Sequence, residues 1–298
     1  MPGMQLRTLT YWANRLTARW LPATVFCVLR YRLTQGHWPH LRQPKRLSEK
    51  ILCSFLYDHD PRRRIFADKL AMRDYAQQKL PDCRLPEVLG VYDSFNQIEF
   101  DRLPERYVVK ANHGSGYVQI VTDTQPLNKA QLARACDAWL SQDYSHYRRE
   151  WYYRGLPRRL MIEEFLAGAD GGPADDYKVF VANGKILMVM VSVDRFSKHR
   201  RSAFTAQWEL LPLRYNRDQG IDRPVPPPRP LAQMLDYSLK LAEGLQFLRV
   251  DFYVVDDVLY LGELTNTPDA GNLVIVPEEW DLRLGEQFGP VTTGRQVG

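Results

Sequence analysis

A chain of 298 residues, 45% hydrophobic and 25% charged, can bury one large core or two or three coupled subdomains, and reads as an ordinary globular protein. Its 40 basic and 35 acidic residues leave a formal +5, too mild a balance to call for nucleic acid as a partner. The four cysteines, at 27, 53, 83 and 136, show neither a CxxC pair nor metal spacing, which argues against a zinc site or a disulfide framework and predicts buried, inert thiols.

Residues 1–85 read as mostly helical. The apolar run Leu21 to Leu29 ends in Arg30-Tyr31-Arg32 and falls far short of the ~20 residues a membrane span needs. No small-residue cleavage site follows it. The expectation is a cytoplasmic enzyme, with the basic, aromatic N-terminus as a candidate for peripheral contact with the inner membrane surface. Arginine clusters at Arg62–Arg64, Arg148-Arg149, Arg158-Arg159 and Arg200-Arg201 read as solvated surface, with an anionic substrate as the other reading. Asp68 is placed to cap a helix through Lys79, which Pro81 and Pro86 then break.

Residues 86–166 mix strand and helix. Strand-like stretches at 86–92 and 107–122 flank Pro104, and Asn128 caps a helix from Lys129 to Leu140. The run Tyr107-Val-Val-Lys-Ala-Asn-His-Gly-Ser-Gly116 sets Lys110 at the end of a β-branched strand directly before a glycine-rich loop. Gly114 and Gly116 let backbone N–H groups approach an anion while the lysine supplies charge, which is how phosphate is held. After the loop, Tyr117-Val-Gln-Ile-Val-Thr122 alternates as a strand does, so the loop is a hairpin tip. A Walker loop would open a helix and end in Gly-Lys-Ser/Thr.

Residues 167–298 begin with Asp176-Tyr-Lys-Val-Phe180, where Asp176 and Lys178 share one strand face; they suit a nucleotide or an acidic substrate, and equally an ordinary ion pair. Tyr177 to Val193 is a double β run split by Asn183-Gly184, the strongest short hairpin signal. The proline-rich Arg223–Pro230 is a rigid connector into a helix from Leu231 to Gly244. Phe247 to Leu264 returns to sheet.

Within it, Arg249-Val-Asp251 and Glu263-Leu-Thr265 set polar pairs amid Phe, Tyr, Val and Leu. Burying ionised carboxylates without partners costs several kcal/mol, so a facing Asp251 and Glu263 imply a cation, magnesium if phosphates are near. The other reading has Arg249 neutralise Asp251. Register decides whether they face. A two-residue loop at Asp256-Asp257 pairs Asp251 with Gly262 and scatters the site, whereas a three-residue loop ending at Val258 pairs Asp251 with Glu263 and Arg249 with Thr265. An odd loop or a bulge is therefore required.

Taken in order, Asp68–Tyr75, Leu89–Ser94, the Lys110 loop, Ile162-Glu-Glu-Phe-Leu166, Asp176–Phe180, Arg249–Asp251 and Gly262-Glu-Leu-Thr-Asn-Thr-Pro268 make the chain resemble a TupA-like ATP-grasp protein from about Leu33 to Leu284. The resemblance implies an α+β ATP-grasp fold: a mostly helical region (1–85), a small nucleotide-gripping subdomain (86–166) and a large subdomain with metal-binding carboxylates (167–298). It implies ATP and Mg2+ as cofactors. Lys69 and Lys110 would hold the α/β-phosphates, and His113, Gly114, Ser115 and Gly116 would cover the γ-phosphoryl, His113 serving either a phosphate or the turn. Glu163, Glu164, Phe165 and Leu166 would read the adenine, and Asp176 and Lys178 the ribose or phosphates. Asp251 and Glu263 would bind metal with Thr265 or Asn266, and Arg249 would stabilise the reacting acyl group. Thr265 stands where the wider superfamily has a metal-binding asparagine. The implied activity is ligation of an amine to a carboxylate through an acyl phosphate, in bacterial surface-polysaccharide or teichuronopeptide synthesis. Phosphoryl transfer to a sugar hydroxyl and a non-catalytic nucleotide-binding subunit are the competing readings.

Overall fold

The structure is a computed structural model that describes residues 21–123, 127–193, 200–216, 218–220, 223 and 225–293. The basic, aromatic segment up to Trp20 and Pro224 of the proline-rich connector lie outside the described residues. Four helices come first: α1 (Ala23–Gln35), α2 (Leu47–Tyr57), α3 (Arg62–Ala67) and α4 (Lys69–Lys79). Asp68 caps α4 as its sequence position predicts, accepting from the Leu70 N–H. None of the described helices is long and apolar enough to cross a membrane.

Two antiparallel sheets follow. The smaller contains β1 (Val88–Tyr92), β2 (Tyr107–Ala111), β3 (Val118–Val121) and β4 (Leu160–Glu164) in the order β1-β4-β2-β3. Alternation along β2 sends Tyr107 and Val109 into a core with Leu132 and Cys136 of α5 (Lys129–Ser141), a helix capped by Asn128. Val108 and Lys110 therefore point to the opposite face. After the short α6 (Ser145–Arg148) and β4, the chain enters the larger sheet. Its strands are β5 (Asp176–Ala182), β6 (Lys185–Val193), β7 (Arg200–Phe204), β8 (Leu210–Leu211), β10 (Phe247–Val255) and β11 (Val258–Thr265), in the order β11-β10-β5-β6-β7-β8. Asn183 and Gly184 both take positive φ in the β5–β6 turn, as a tight two-residue hairpin requires.

Helices cover the larger sheet on both faces. Phe66, Met72 and Ala76 of α3 and α4, with Met234 and Leu241 of α7 (Leu231–Leu241), pack on Val179, Val250, Phe252 and Leu264. Leu47 and Ile51 of α2, with Leu284 and Phe288 of α8 (Glu278–Phe288), pack on Phe180, Met188 and Phe247. A short ribbon of β9 (Arg214–Tyr215) and β12 (Ile275–Val276) lies beside α8. The sequence reading assigns no element to β7, β8, β9, β12 or α8.

The β10–β11 hairpin settles the register question by a route that differs from the three-residue loop. Asp256 and Asp257 form a two-residue turn, both at positive φ, and Val255 pairs with Val258. A bulge at Gly262 on β11, opposite the Asp251–Phe252 step of β10, then shifts the pairing by one, so that Asp251 faces Glu263 and Arg249 faces Thr265. The shift also lets Leu261 and Leu264 both reach the core while Glu263 keeps the other face. Gly262 suits the bulge because a Cβ there would meet the Tyr253 ring at 2.7 Å.

The four cysteines are buried and free. Burial pushes the thiols of Cys27, Cys83 and Cys136 up to about 11 and that of Cys53 up to about 12. The arginine runs are less uniformly solvated than charge alone predicts. Arg63 is 1% exposed, bound to Asp58, to Ser54 Oγ at 2.8 Å and to the Asn266 carbonyl at 3.3 Å, because α3 lies under the end of β11.

Candidate active site

A cavity of about 310 Å³ opens where the two sheets and the start of α4 meet. The small sheet contributes Val108, Lys110, Val118, Ile120 and Glu163. Their common direction follows from register, since Val108 pairs with both Ile120 and Glu163, and Lys110 pairs with Val118. The large sheet contributes Tyr253, Gly262 and Glu263. Lys69 enters from the first turn of α4. Ser115 and Gly116 border the cavity from the loop, and Glu164, Phe165 and Leu166 from the segment leaving β4.

Lys110 is bound to Glu163, which also takes Arg73 Nη1 at 3.2 Å from the next turn of α4. Burial pulls the Lys110 ammonium down, but the Glu163 carboxylate outweighs it and holds the lysine above its ordinary range. Lys69 donates to the Gly114 carbonyl at 2.7 Å and lies 3.7 Å from Glu263. Glu164 accepts the Glu87 N–H at 2.8 Å, the Leu166 carbonyl accepts the Ala174 N–H at 3.1 Å, and the Arg106 guanidinium sits 4.4 Å over the Phe165 ring.

The loop between β2 and β3 is held by Asn112, a residue that sequence reasoning did not single out and whose role has no local sequence signal. Its side chain donates to Asp68 Oδ1 at 2.9 Å and to the Pro157 carbonyl at 3.0 Å, and accepts the Arg159 N–H at 2.7 Å. Its carbonyl accepts the Lys69 N–H at 2.8 Å. One buried amide thus joins the loop to the cap of α4. His113 is 2% exposed, with ring nitrogens 3.3 Å from Asn112 Oδ1 and 3.1 Å from the Trp139 carbonyl. It does not line the cavity but sits under the turn, where burial lowers its pKa. Gly114 and Gly116 both have φ +80°, and a Cβ at Gly114 would meet Tyr144 at 2.7 Å and Tyr117 at 2.9 Å.

Arg249, Asp251, Lys178 and Asp176 form a connected buried set beside the cavity. Arg249 grips Asp251 through two hydrogen bonds of 2.7 and 2.6 Å, and its Nη2 also donates to Thr265 Oγ1 at 3.0 Å. Lys178 binds Asp176 and stands 3.2 Å from Asp251. Asp176 and Lys178 stay out of the large cavity. Asn266 is also buried, its Nδ2 donating to the Arg63 carbonyl at 2.8 Å while Oδ1 has no partner among the described residues. Glu263 is the accessible member, with a side chain 35% exposed. Burial would raise its pKa, but Lys69, Arg249, Lys110 and Lys178 together hold it below the ordinary carboxylate range.

Among the described residues no three His, Cys, Asp or Glu side chains cluster as a metal cage. A magnesium ion that shares its shell with phosphates needs only one or two carboxylates. Glu263 borders the cavity and its hard oxygens fit that requirement, whereas Asp251, opposite it, has its oxygens held by Arg249 and Lys178, as the other reading of the sequence expects, and would join the shell only by releasing one of them. Tyr253, two positions beyond Asp251 on the same strand face, adds an aromatic wall that the sequence reading missed although its spacing marks it.

A second cavity, of about 130 Å³, adjoins the first and shares Ser115 and Glu263 with it. Arg249, Thr265 and Asn266 lie along it, together with Tyr144, Arg148 and Glu150 from the segment between α5 and β4.

Residues 49–289 match the family described as TupA-like ATPgrasp. No curated protein matches the chain. Among solved structures, it is similar to a D-alanine--D-alanine ligase from Bacillus anthracis complexed with ATP: 18% identity, 68% of this chain and 54% of that one, TM-score 0.42. The Helicobacter pylori D-alanine-D-alanine ligase is 15% identical over 76% of this chain and 60% of its own, TM-score 0.43. An ADP complex of N5-carboxyaminoimidazole ribonucleotide synthetase is 11% identical over 68% of this chain and 45% of its own, TM-score 0.42. The chain spans about half the length of the ATP-bound ligase.

Proposed function

Because this chain belongs to the TupA-like ATP-grasp family, we propose that it is an ATP- and magnesium-dependent ligase that joins an amine to a carboxylate through an acyl phosphate. The substrate would be a cell-surface polysaccharide or its precursor, in keeping with the family resemblance. One observation carries the reading: a single cavity between two sheets gathers Lys69, Lys110 with the Ser115-Gly116 loop tip, Glu163–Leu166 and Glu263 from four separate stretches of chain.

In this reading the adenine lies between Val108 and Ile120 on one side and Tyr253 on the other, beside the Glu163–Leu166 segment. Lys69 and Lys110 hold phosphates; to do so each turns from its present carboxylate partner to a phosphoryl oxygen. The Ser115-Gly116 tip covers the terminal phosphoryl group and keeps water out. Magnesium held by Glu263 and Asp251 would neutralise phosphate charge. A substrate carboxylate oxygen attacks the γ-phosphorus as its bond to ADP breaks. The amine nitrogen then attacks the acyl carbon, and inorganic phosphate and a proton leave as the amide forms. Arg249 lies along the second cavity with its guanidinium fixed by Asp251, suited to stabilise charge on the acyl group.

The test is product analysis with ATP, magnesium, hexuronates and amino acids. Release of ADP with free phosphate and a new amide is expected. ADP with a phosphorylated sugar would replace ligation with phosphotransfer, and failure to bind ATP would remove the enzymatic reading.

A further inference from the structure

The second cavity is lined mainly by polar side chains and contains both signs of charge, Arg148 and Arg249 with Glu150, Glu263 and Asp269. Arg148 lines it, its guanidinium 5.3 Å over the Tyr147 ring and without a hydrogen bond or ion pair to any described residue. Glu150 is 6% exposed and likewise forms no ion pair among the described residues; one oxygen accepts from Tyr152 Oη at 2.7 Å. Two opposite charges two residues apart, near enough to attract but not in ion-pair contact, are poised for a ligand that brings both complements, since a charge taken from water needs a partner. A hexuronate offers only the anionic half. At about 130 Å³ the space is less than half that of the neighbouring cavity, suiting a small molecule rather than a glycan chain.

We propose that this cavity is the amine-substrate site and that its ligand is a free α-amino acid, with the carboxylate on Arg148 and the ammonium group on Glu150. The inference rests on the ligase reading, which needs an amine next to the terminal phosphoryl group, and the wall shared through Ser115 and Glu263 meets that need. For the amine to attack it must lose a proton, and Glu150, whose pKa burial raises, is the group to receive it.

Calorimetry with glycine, alanine and glutamate, each against ethylamine and propionate as one-ended analogues, tests this in protein saturated with magnesium and a non-hydrolysable ATP analogue and again without nucleotide. At least one amino acid should bind, with both analogues weaker by roughly tenfold or more. Arg148→Gln and Glu150→Gln should each weaken it by roughly 10- to 100-fold while nucleotide affinity stays the same, and Arg148→Lys should recover part of the loss. Equal binding of a one-ended analogue, unchanged affinity in both Gln variants, or no amino-acid binding under either condition would overturn the proposal. Loss of nucleotide binding alone falls on the ligase reading instead.

A separate observation concerns the first 48 residues, which contain eight Lys or Arg and no Asp or Glu. The remainder holds the other 32 basic residues against all 35 acidic ones, so the positive excess lies entirely at this end. On α1 the buried face is Phe26, Cys27 and Tyr31, while Val25, Leu29 and Leu33 form an i, i+4, i+8 stripe that is 43%, 39% and 84% exposed. Trp38 follows, 56% exposed, with the Arg32 guanidinium 5.9 Å over its ring. Exposed aliphatics and a tryptophan covered by Arg32 and followed in the chain by Arg42 and Lys45 complement an anionic lipid surface in both polarity and charge. We infer that this face rests on an anionic bilayer.

The full chain should co-sediment with phosphatidylcholine–phosphatidylglycerol vesicles, not with phosphatidylcholine alone. Leu29→Gln with Leu33→Gln should cut retention several-fold with unchanged circular dichroism, and raised salt should do the same. No retention on anionic vesicles, retention indifferent to the double substitution, or binding confined to a single-stranded RNA competitor would overturn the inference.

Discussion

Glu263 and Asp251 face one another across a single strand pair, yet they are held so differently that their amides should part company. Asp251 shares its charge with the largely buried Arg249 and with Lys178, which also has Asp176, so Asp251→Asn leaves Arg249 short of its charge partner and should cost about 3–5 kcal/mol. Glu263 is a third exposed and its nearest cation, Lys69, is 3.7 Å away, so Glu263→Gln should change stability by less than about 1 kcal/mol. Urea denaturation of the two variants measures this, and equal losses would contradict it. Turnover should nonetheless fall by on the order of 10² to 10³ in each. If both act through one magnesium, the double variant should lose much less than the product of the two, as single-turnover rates would reveal.

At the scale of elements, the glycine-rich loop and the α2–α8 contact give separate expectations. Gly114 and Gly116 share the same left-handed φ, but only Gly114 is walled in by Tyr117 and Tyr144. Gly116→Ala should therefore cost only the backbone term, about 1–2 kcal/mol. Gly114→Ala should cost more and shift the loop, weakening ATP binding in a titration that Gly116→Ala disturbs less. On α8, Asp281 is buried and accepts from the Ser48 N–H at 2.8 Å and Ser48 Oγ at 2.6 Å on α2. Burial pushes its carboxyl up to about 6, with Ser48 opposing. A raised acid pKa means that the folded state binds the extra proton, so this contribution is complete below the ordinary pKa near 4 and is lost as pH rises through 6. Asp281→Asn, which can keep both contacts, should remove that part of the decline, by an amount on the order of 2–3 kcal/mol between pH 4 and 7 in paired chemical denaturations. Parallel wild-type and variant curves would count against it.

For the whole molecule, a nucleotide between the two sheets should stabilise both at once. Mg-ATP at a hundredfold excess over Kd should add about 2.7 kcal/mol, read as a rise in Tm that ATP with a chelator does not match. Much of this arrangement is legible in the chain itself. Asp68 and Asn128 announce their helices because a side-chain cap is local, Asn183-Gly184 announces its hairpin because left-handed φ favours those residues, and Gly114-Ser-Gly116 announces the loop between β2 and β3 for the same reason. The family, too, is carried by short motifs in order. What the sequence leaves open is set by contacts between distant residues. The bulge at Gly262 is invisible in a β pattern that a three-residue turn would satisfy equally. Which carboxylate stays accessible depends on Lys178 arriving from β5 beside the Arg249–Asp251 pair of β10. Asn112 reads as one more loop residue until Asp68, Pro157 and Arg159 close around it. Arg148 and Glu150 become one cavity wall only when the segment before β4 folds against the end of β11. Local backbone preference acts within a few residues and so is written in the sequence, whereas the partner of a buried charge is chosen by packing across the molecule.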